Sequence, residues 1–208
     1  MSARKPRRIG LTGGMGAGKS TVSSYLRVLG AHVLDADVAA REAVEPGSEG
    51  LRLLAARYGA GILQPDGSLN RRALAGTIFA SDDERLAVNA ILHPMVRGIL
   101  LREEHEIRES EPDTVVFWDV PLLIESNMHA DVDEVWLVTA EEAARVARIM
   151  RRDHCSEQDA LARIRRQMPE EEKKGYAHRI LDNSGDEAAL FAQVKALYEK
   201  INIQGNRE

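Results

Sequence analysis

Gly13, Gly18, Lys19 and Ser20 stand in the spacing G-x-x-x-x-G-K-[ST], with an apolar run, IGLT, directly before them and a helical pattern, TVSSYLRVL, directly after. Glycine weakens regular elements, so a cluster of glycines between a strand and a helix suggests that the backbone itself touches a ligand. Consecutive N–H groups turned inward cradle a polyphosphate, and the helix N-terminus adds the positive end of its dipole. Lys19 would neutralise the outer phosphates and the Ser20 hydroxyl would ligate magnesium. The duller reading is a glycine-rich turn in some other βαβ unit with Lys19 merely exposed. The full match in its strand and helix context outweighs it.

A second set of polar residues falls at the ends of apolar runs. Asp35 and Asp37, in VLDADVAAR, are two residues apart, so both can face the phosphate side. A carboxylate there could accept the proton of an attacking hydroxyl. Asp37 could equally cap the helix VAAREAV, and these residues alone leave the two roles level. Asp119 closes TVVFWD, a position suited to magnesium through water. A regulatory GTPase would need N-K-x-D after a late strand, whereas Asp182-Asn183-Ser184-Gly185 lacks the lysine. Motor ATPases are generally larger and end a long strand in paired acids. A small phosphotransferase with a second substrate pocket and a lid fits better.

The elements that must position these residues read as follows. Strand-like runs end at Thr12, near Asp35, at Asp119, near Thr139 and near Asp182, with helical segments between them. Such alternation predicts an α/β fold with a mainly parallel sheet and ligands at the carboxyl ends of its strands. Two connections exceed a simple crossover. Residues 38–113 read as a helical insert broken or kinked at Pro94, and residues 153–176 as an exposed, mobile, oppositely charged helical hairpin. Thr139 with Glu142 resembles a capping box for a helix from Glu141 to Met150, and Ser156 with Asp159 a weaker one. The chain, 1–208, is expected to form one domain with these two excursions.

Composition narrows the classes. With 208 residues, 44% hydrophobic and 29% charged, the chain can bury a substantial core. No stretch approaches the roughly 20 apolar residues of a membrane span, and MSARKPRRIG lacks a signal peptide's apolar centre, so the expected location is cytoplasmic. A net charge of −5 argues against a general nucleic-acid binder. The basic run from Arg4 to Arg8 reads as a local patch or a solvated tail. The single cysteine, Cys155, reads as a surface thiol.

Taken in order, LTGGMGAGKSTV, LDADVAAREAVEPG, LNRRAL, His93-Pro94, VPLLIE, ARIMRRD and LDNSGD span residues 9–186, and together they resemble the dephospho-coenzyme A kinases. The resemblance implies a P-loop nucleoside triphosphate hydrolase-type parallel sheet flanked by helices, nucleotide-kinase-like, with a helical substrate-binding insert at about 38–113 and a lid at about 153–176. It implies transfer of the γ-phosphoryl group of ATP, with Mg2+, to the ribose 3′-hydroxyl of dephospho-coenzyme A.

On that resemblance, Asp37 is the catalytic base, and Gly14, Gly16, Ala17, Gly18, Lys19, Ser20 and Thr21 form the phosphate loop. Arg148 and Arg152 lie at the base of the lid, where a closing arginine stabilises charge on the transferring group. Asn183 lies in the loop beside the adenine. Arg71, His93 and Glu125 match the acceptor region, though Arg71 could cover an apolar surface, His93 could be a core histidine and Glu125 could pair an arginine. Ser20 and Asp119 are the expected magnesium contacts. A kinase of another small acceptor, such as a nucleoside monophosphate, and a non-catalytic regulator are the alternatives, and intact Lys19, Ser20 and Asp37 speak against the second. No nucleic-acid or membrane partner is expected, and the chain is expected to be a monomer or weak homo-oligomer.

Overall fold

The computed structural model describes residues 8–205, so the basic run from Arg4 lies outside them except for Arg8. Arg8 is no tail residue. It opens strand β1 (Arg8–Gly13), and its guanidinium lies 4.3 Å from the Trp118 ring centroid. The other strands are β2 (His32–Asp35), β3 (Val116–Asp119), β4 (Glu134–Thr139) and β5 (Arg179–Asp182), in the order β2-β3-β1-β4-β5. β1 pairs in parallel with both β3 and β4, and β4 with β5. Strands covered on both faces read as continuous apolar runs, which is why VFWD and VWLVT are buried along their length. The register sets Leu11 beside Asp119 and Thr139 beside Asp182, gathering the polar strand ends along one edge.

Two compact units make up the chain, Asp35–Glu106 and the remainder. In the sheet unit, helix α1 (Lys19–Val28) follows the glycine loop, and the C-terminal helix α9 (Glu187–Gly205) packs near it, with Tyr25 stacked on Phe191 at 4.1 Å. Ile9, Leu11, Val22, Leu26, Phe117 and Trp136 are core residues without solvent exposure.

The Asp35–Glu106 unit contains α2 (Ala36–Glu42), α3 (Glu49–Tyr58), α4 (Arg71–Ala80) and most of α5 (Asp82–Ser110). Its own core joins Val44, Leu54, Ile62, Leu74 and Val88. Ser48 and Asn70 cap α3 and α4 by accepting from Leu51 and Ala73 N–H. The boundaries differ from the expected 38–113, because the unit takes in both acids of D-A-D and stops inside α5. Helix α5 runs through Pro94 unbroken, although proline withdraws one backbone donor there.

The segment 153–176 is not a free hairpin. Helix α7 (Glu157–Arg165) buries Ala160 and Ile164 against Val146 and Ile149 of α6 (Glu142–Asp153), and Lys173 in α8 (Glu170–Lys174) is 1% exposed. Cys155 packs against that same cluster, half-buried, where a plain surface thiol was expected. Ser156 caps α7 as its spacing predicts, accepting from Asp159 N–H at 3.1 Å. Thr139 does not cap α6. It ends β4, and Glu141 precedes the helix with its N–H donated to the Ser184 hydroxyl at 3.1 Å.

Candidate active site

The glycine loop leaves β1 at Gly13 and enters α1 at Lys19. Gly16 and Gly18 take φ of 77° and 96°, the left-handed region that side chains resist. Space forbids a side chain there as well: a Cβ on Gly18 would lie 2.0 Å from Asn183 Nδ2, and one on Gly16 2.7 Å from the Arg145 carbonyl oxygen. The loop is tightened by Ala17 N–H donating to the Gly14 carbonyl, and Thr21 N–H to the Gly18 carbonyl, both at 3.0 Å. Ser20 and Thr21 belong to the first turn of α1, with Ser20 exposed.

Lys19 Nζ is hydrogen-bonded to a carboxylate oxygen of Asp119, which is buried at the end of β3. Sheet register brings these two together, since β3 lies beside β1. Asn183 is buried after β5 and donates its Nδ2 to the Ala17 carbonyl at 2.7 Å. Arg148 donates to the carbonyls of Gly16 at 3.2 Å, Ala17 at 3.4 Å and Asn183 at 2.8 Å. Both residues therefore brace the loop from its carbonyl side, a job the sequence does not reveal. Arg152 instead holds Asp153 through two hydrogen bonds, at 2.6 and 2.9 Å, and remains exposed.

Several residues that the spacing did not single out complete this arrangement. Arg145, 7% exposed, donates Nε to the Met15 carbonyl at 3.0 Å and reaches Glu170 at 3.3 Å. Met15 N–H donates to the Gln167 side-chain oxygen at 2.7 Å. Glu125, expected beside the acceptor or an arginine, pairs with Lys173 at 2.6 Å. A charged run gives no sign of which of its members is buried, so only Gln167, beside the break Met168-Pro169, stands out even in hindsight.

In the second unit, the acid that caps α2 is Asp35. Its carboxylate accepts from the N–H groups of Asp37 at 2.8 Å and Val38 at 3.4 Å. Asp37 is therefore not the cap; it is exposed in the first turn, and its carboxylate makes no hydrogen bond among the described residues. Arg71 is exposed at the start of α4. His93 is half-buried on α5, and that burial lowers its pKa from the usual 6.5.

A parallel sheet with a glycine loop entering a helix, and with lysine, serine and a strand-end aspartate gathered at its carboxyl edge, defines a P-loop nucleotide-binding protein of the kinase type. The sequence profile described as dephospho-CoA kinase matches residues 7–189. A dephospho-CoA kinase of Halalkalibacterium halodurans is 42% identical over 94% of this chain and 96% of that one. A Thermus thermophilus protein of known structure is 35% identical, with a TM-score of 0.80 over 95% of this chain and 98% of its own. The Campylobacter jejuni dephospho-CoA kinase superposes with a TM-score of 0.71 at 23% identity, over 94% of this chain and 96% of its own, a likeness of fold. The chain belongs to the dephospho-CoA kinase family, enzymes of coenzyme A synthesis that phosphorylate dephospho-coenzyme A with ATP.

Proposed function

We propose that this protein transfers the γ-phosphoryl group of ATP to the ribose 3′-hydroxyl of dephospho-coenzyme A. The observation that carries the reading is the glycine loop with Lys19 and Asp119 at the carboxyl edge of the sheet, in a chain matched to the family along most of its length. Backbone N–H groups of the loop would hold the phosphates, and Lys19 would move its ammonium from Asp119 to the β and γ oxygens. Arg148 and Arg152, on one helix next to the 153–176 segment, would add positive charge to the transferring group as that segment closes. Asn183 would border the adenine.

The donor set suits magnesium. Ser20 offers an exposed hydroxyl and Asp119 a carboxylate, two hard oxygens of the kind that leave room for water and phosphate ligands. Bound there, the ion would neutralise and orient the phosphate oxygens. Asp37 would accept the proton of the acceptor hydroxyl, a role favoured by its carboxylate being uncommitted to helix capping. Arg71, His93 and Glu125 would supply acceptor contacts, as the family resemblance implies.

No helix among the described residues is long and apolar enough to cross a membrane. We expect a cytoplasmic enzyme acting on small molecules, as a monomer or weak homo-oligomer. A coupled ADP-release assay tests the function, with dephospho-coenzyme A set beside AMP, CMP and shikimate, and product mass and position of the phosphate determined. Faster turnover of any other acceptor overturns the assignment.

A further inference from the structure

We propose that Gln167 and Arg145 are positioning residues that set the conformation of the phosphate loop through Met15, tying ATP affinity to the placement of the 153–176 segment. The inference rests on the kinase reading above.

Met15 occupies one of the variable positions of the motif, where the side chain has no phosphate chemistry to perform. Yet it is gripped three ways. Its N–H donates to Gln167 Oε1 at 2.7 Å, its carbonyl accepts from Arg145 Nε at 3.0 Å, and its side chain packs against the cluster of Val146, Ile149, Ala160 and Ile164. Both backbone groups of one loop residue are thereby fixed by side chains from outside the loop. Arg145 is held in turn by Glu170, beyond Gln167 in the same segment.

The orientation of the peptides on either side of Met15 decides whether the N–H groups that follow point into the phosphate cradle. Withdrawing the Gln167 acceptor would leave the Met15 N–H to a weaker partner and widen the range of loop conformations, at the expense of the phosphate-binding one. By reciprocity, a bound triphosphate would hold Gln167, and with it the segment that follows, in place.

The test uses Gln167→Met, which keeps length and apolar packing but loses the acceptor, and Gln167→Glu, which restores an acceptor oxygen. ATP affinity is read by titration with ATP and magnesium, apart from any acceptor, beside melting temperature and hydrogen exchange of residues 13–19. The expected result is ATP binding weakened about 3- to 10-fold in Gln167→Met, as for one lost neutral hydrogen bond, with faster loop exchange, and return to within about 3-fold of the parent in Gln167→Glu. A lower melting temperature with parental ATP affinity would mean a purely structural contact and overturn the proposal. Equal weakening in both variants would overturn it too. A parent that binds ATP but phosphorylates no dephospho-coenzyme A removes only the acceptor assignment, and the titration still decides; a parent that binds no ATP removes both.

Discussion

Glu125 and Lys173 form an ion pair of 2.6 Å in which the lysine side chain is 1% exposed and the glutamate 21%. The asymmetry of burial determines what each deletion costs. Glu125→Ala strands a buried ammonium, whereas Lys173→Met leaves a carboxylate that can still reach water and fills the lysine's space with an apolar chain. Urea denaturation should show the larger loss for Glu125→Ala, on the order of 3 kcal/mol, with Lys173→Met about 1 kcal/mol or less. The reverse order would show that the ammonium finds another route to solvent.

Lys19→Met should depress turnover by orders of magnitude if, as proposed, the lysine neutralises charge on the phosphates in the transition state. It also removes the cation from buried Asp119, so the melting temperature should fall. Adding Asp119→Asn should recover melting temperature and leave turnover low. Near-normal turnover in folded Lys19→Met would remove the phosphate-loop argument.

Asp37→Asn should leave stability nearly unchanged while single-turnover rate falls by roughly 10²–10⁴-fold, with ATP affinity within a few-fold of the parent. Asp35→Ala, by contrast, deletes the cap of α2 and should cost about 0.5–2 kcal/mol, which Asp35→Asn largely restores. Parental activity in Asp37→Asn would sink its assignment as base.

The 153–176 segment should exchange its amide hydrogens more slowly when ATP and acceptor are both bound than with either alone. Unchanged exchange there would count against closure of a lid.

His93 makes stability depend on pH. Its pKa is lowered in the folded protein, so between the folded value and about 6.5 the unfolded chain holds more protons. Its contribution is therefore full above pH 6.5 and is lost as pH falls toward the folded value. Urea midpoints measured from pH 7.5 down to about 5 should drop in the parent and drop less in His93→Gln. Parallel curves would show that His93 titrates normally.

VFWD and EVWLVT were legible because a strand covered on both faces is largely apolar and stops where polar residues begin, at Asp119 and Thr139; the edge strands HVLD and RILD are less buried and were marked instead by short apolar pairs closed by Asp35 and Asp182, and β1 runs one residue past Thr12 to Gly13. The glycine loop was legible for a different reason, since its spacing encodes backbone geometry directly. The helix cap was not, because only Asp37 was read as a candidate cap, and it is the extended backbone of Asp35 that puts Asp35 at the boundary instead. The grip on Met15 and the burial of Lys173 depend on partners far along the chain. Nothing local separates Arg145 or Lys173 from the solvated charges around them, and Gln167 is marked only by its place beside Met168-Pro169.

Cys155 is the one thiol in the chain, and it lies half-buried on the seam where α6 meets α7. Parting of that seam would uncover it further, so its alkylation should speed up as α7 lifts away. The molecule thus carries a built-in gauge of its own breathing, readable on the parent sequence without any engineered label. Nucleotide and acceptor, added singly and together, can be ranked by how far each slows that reaction.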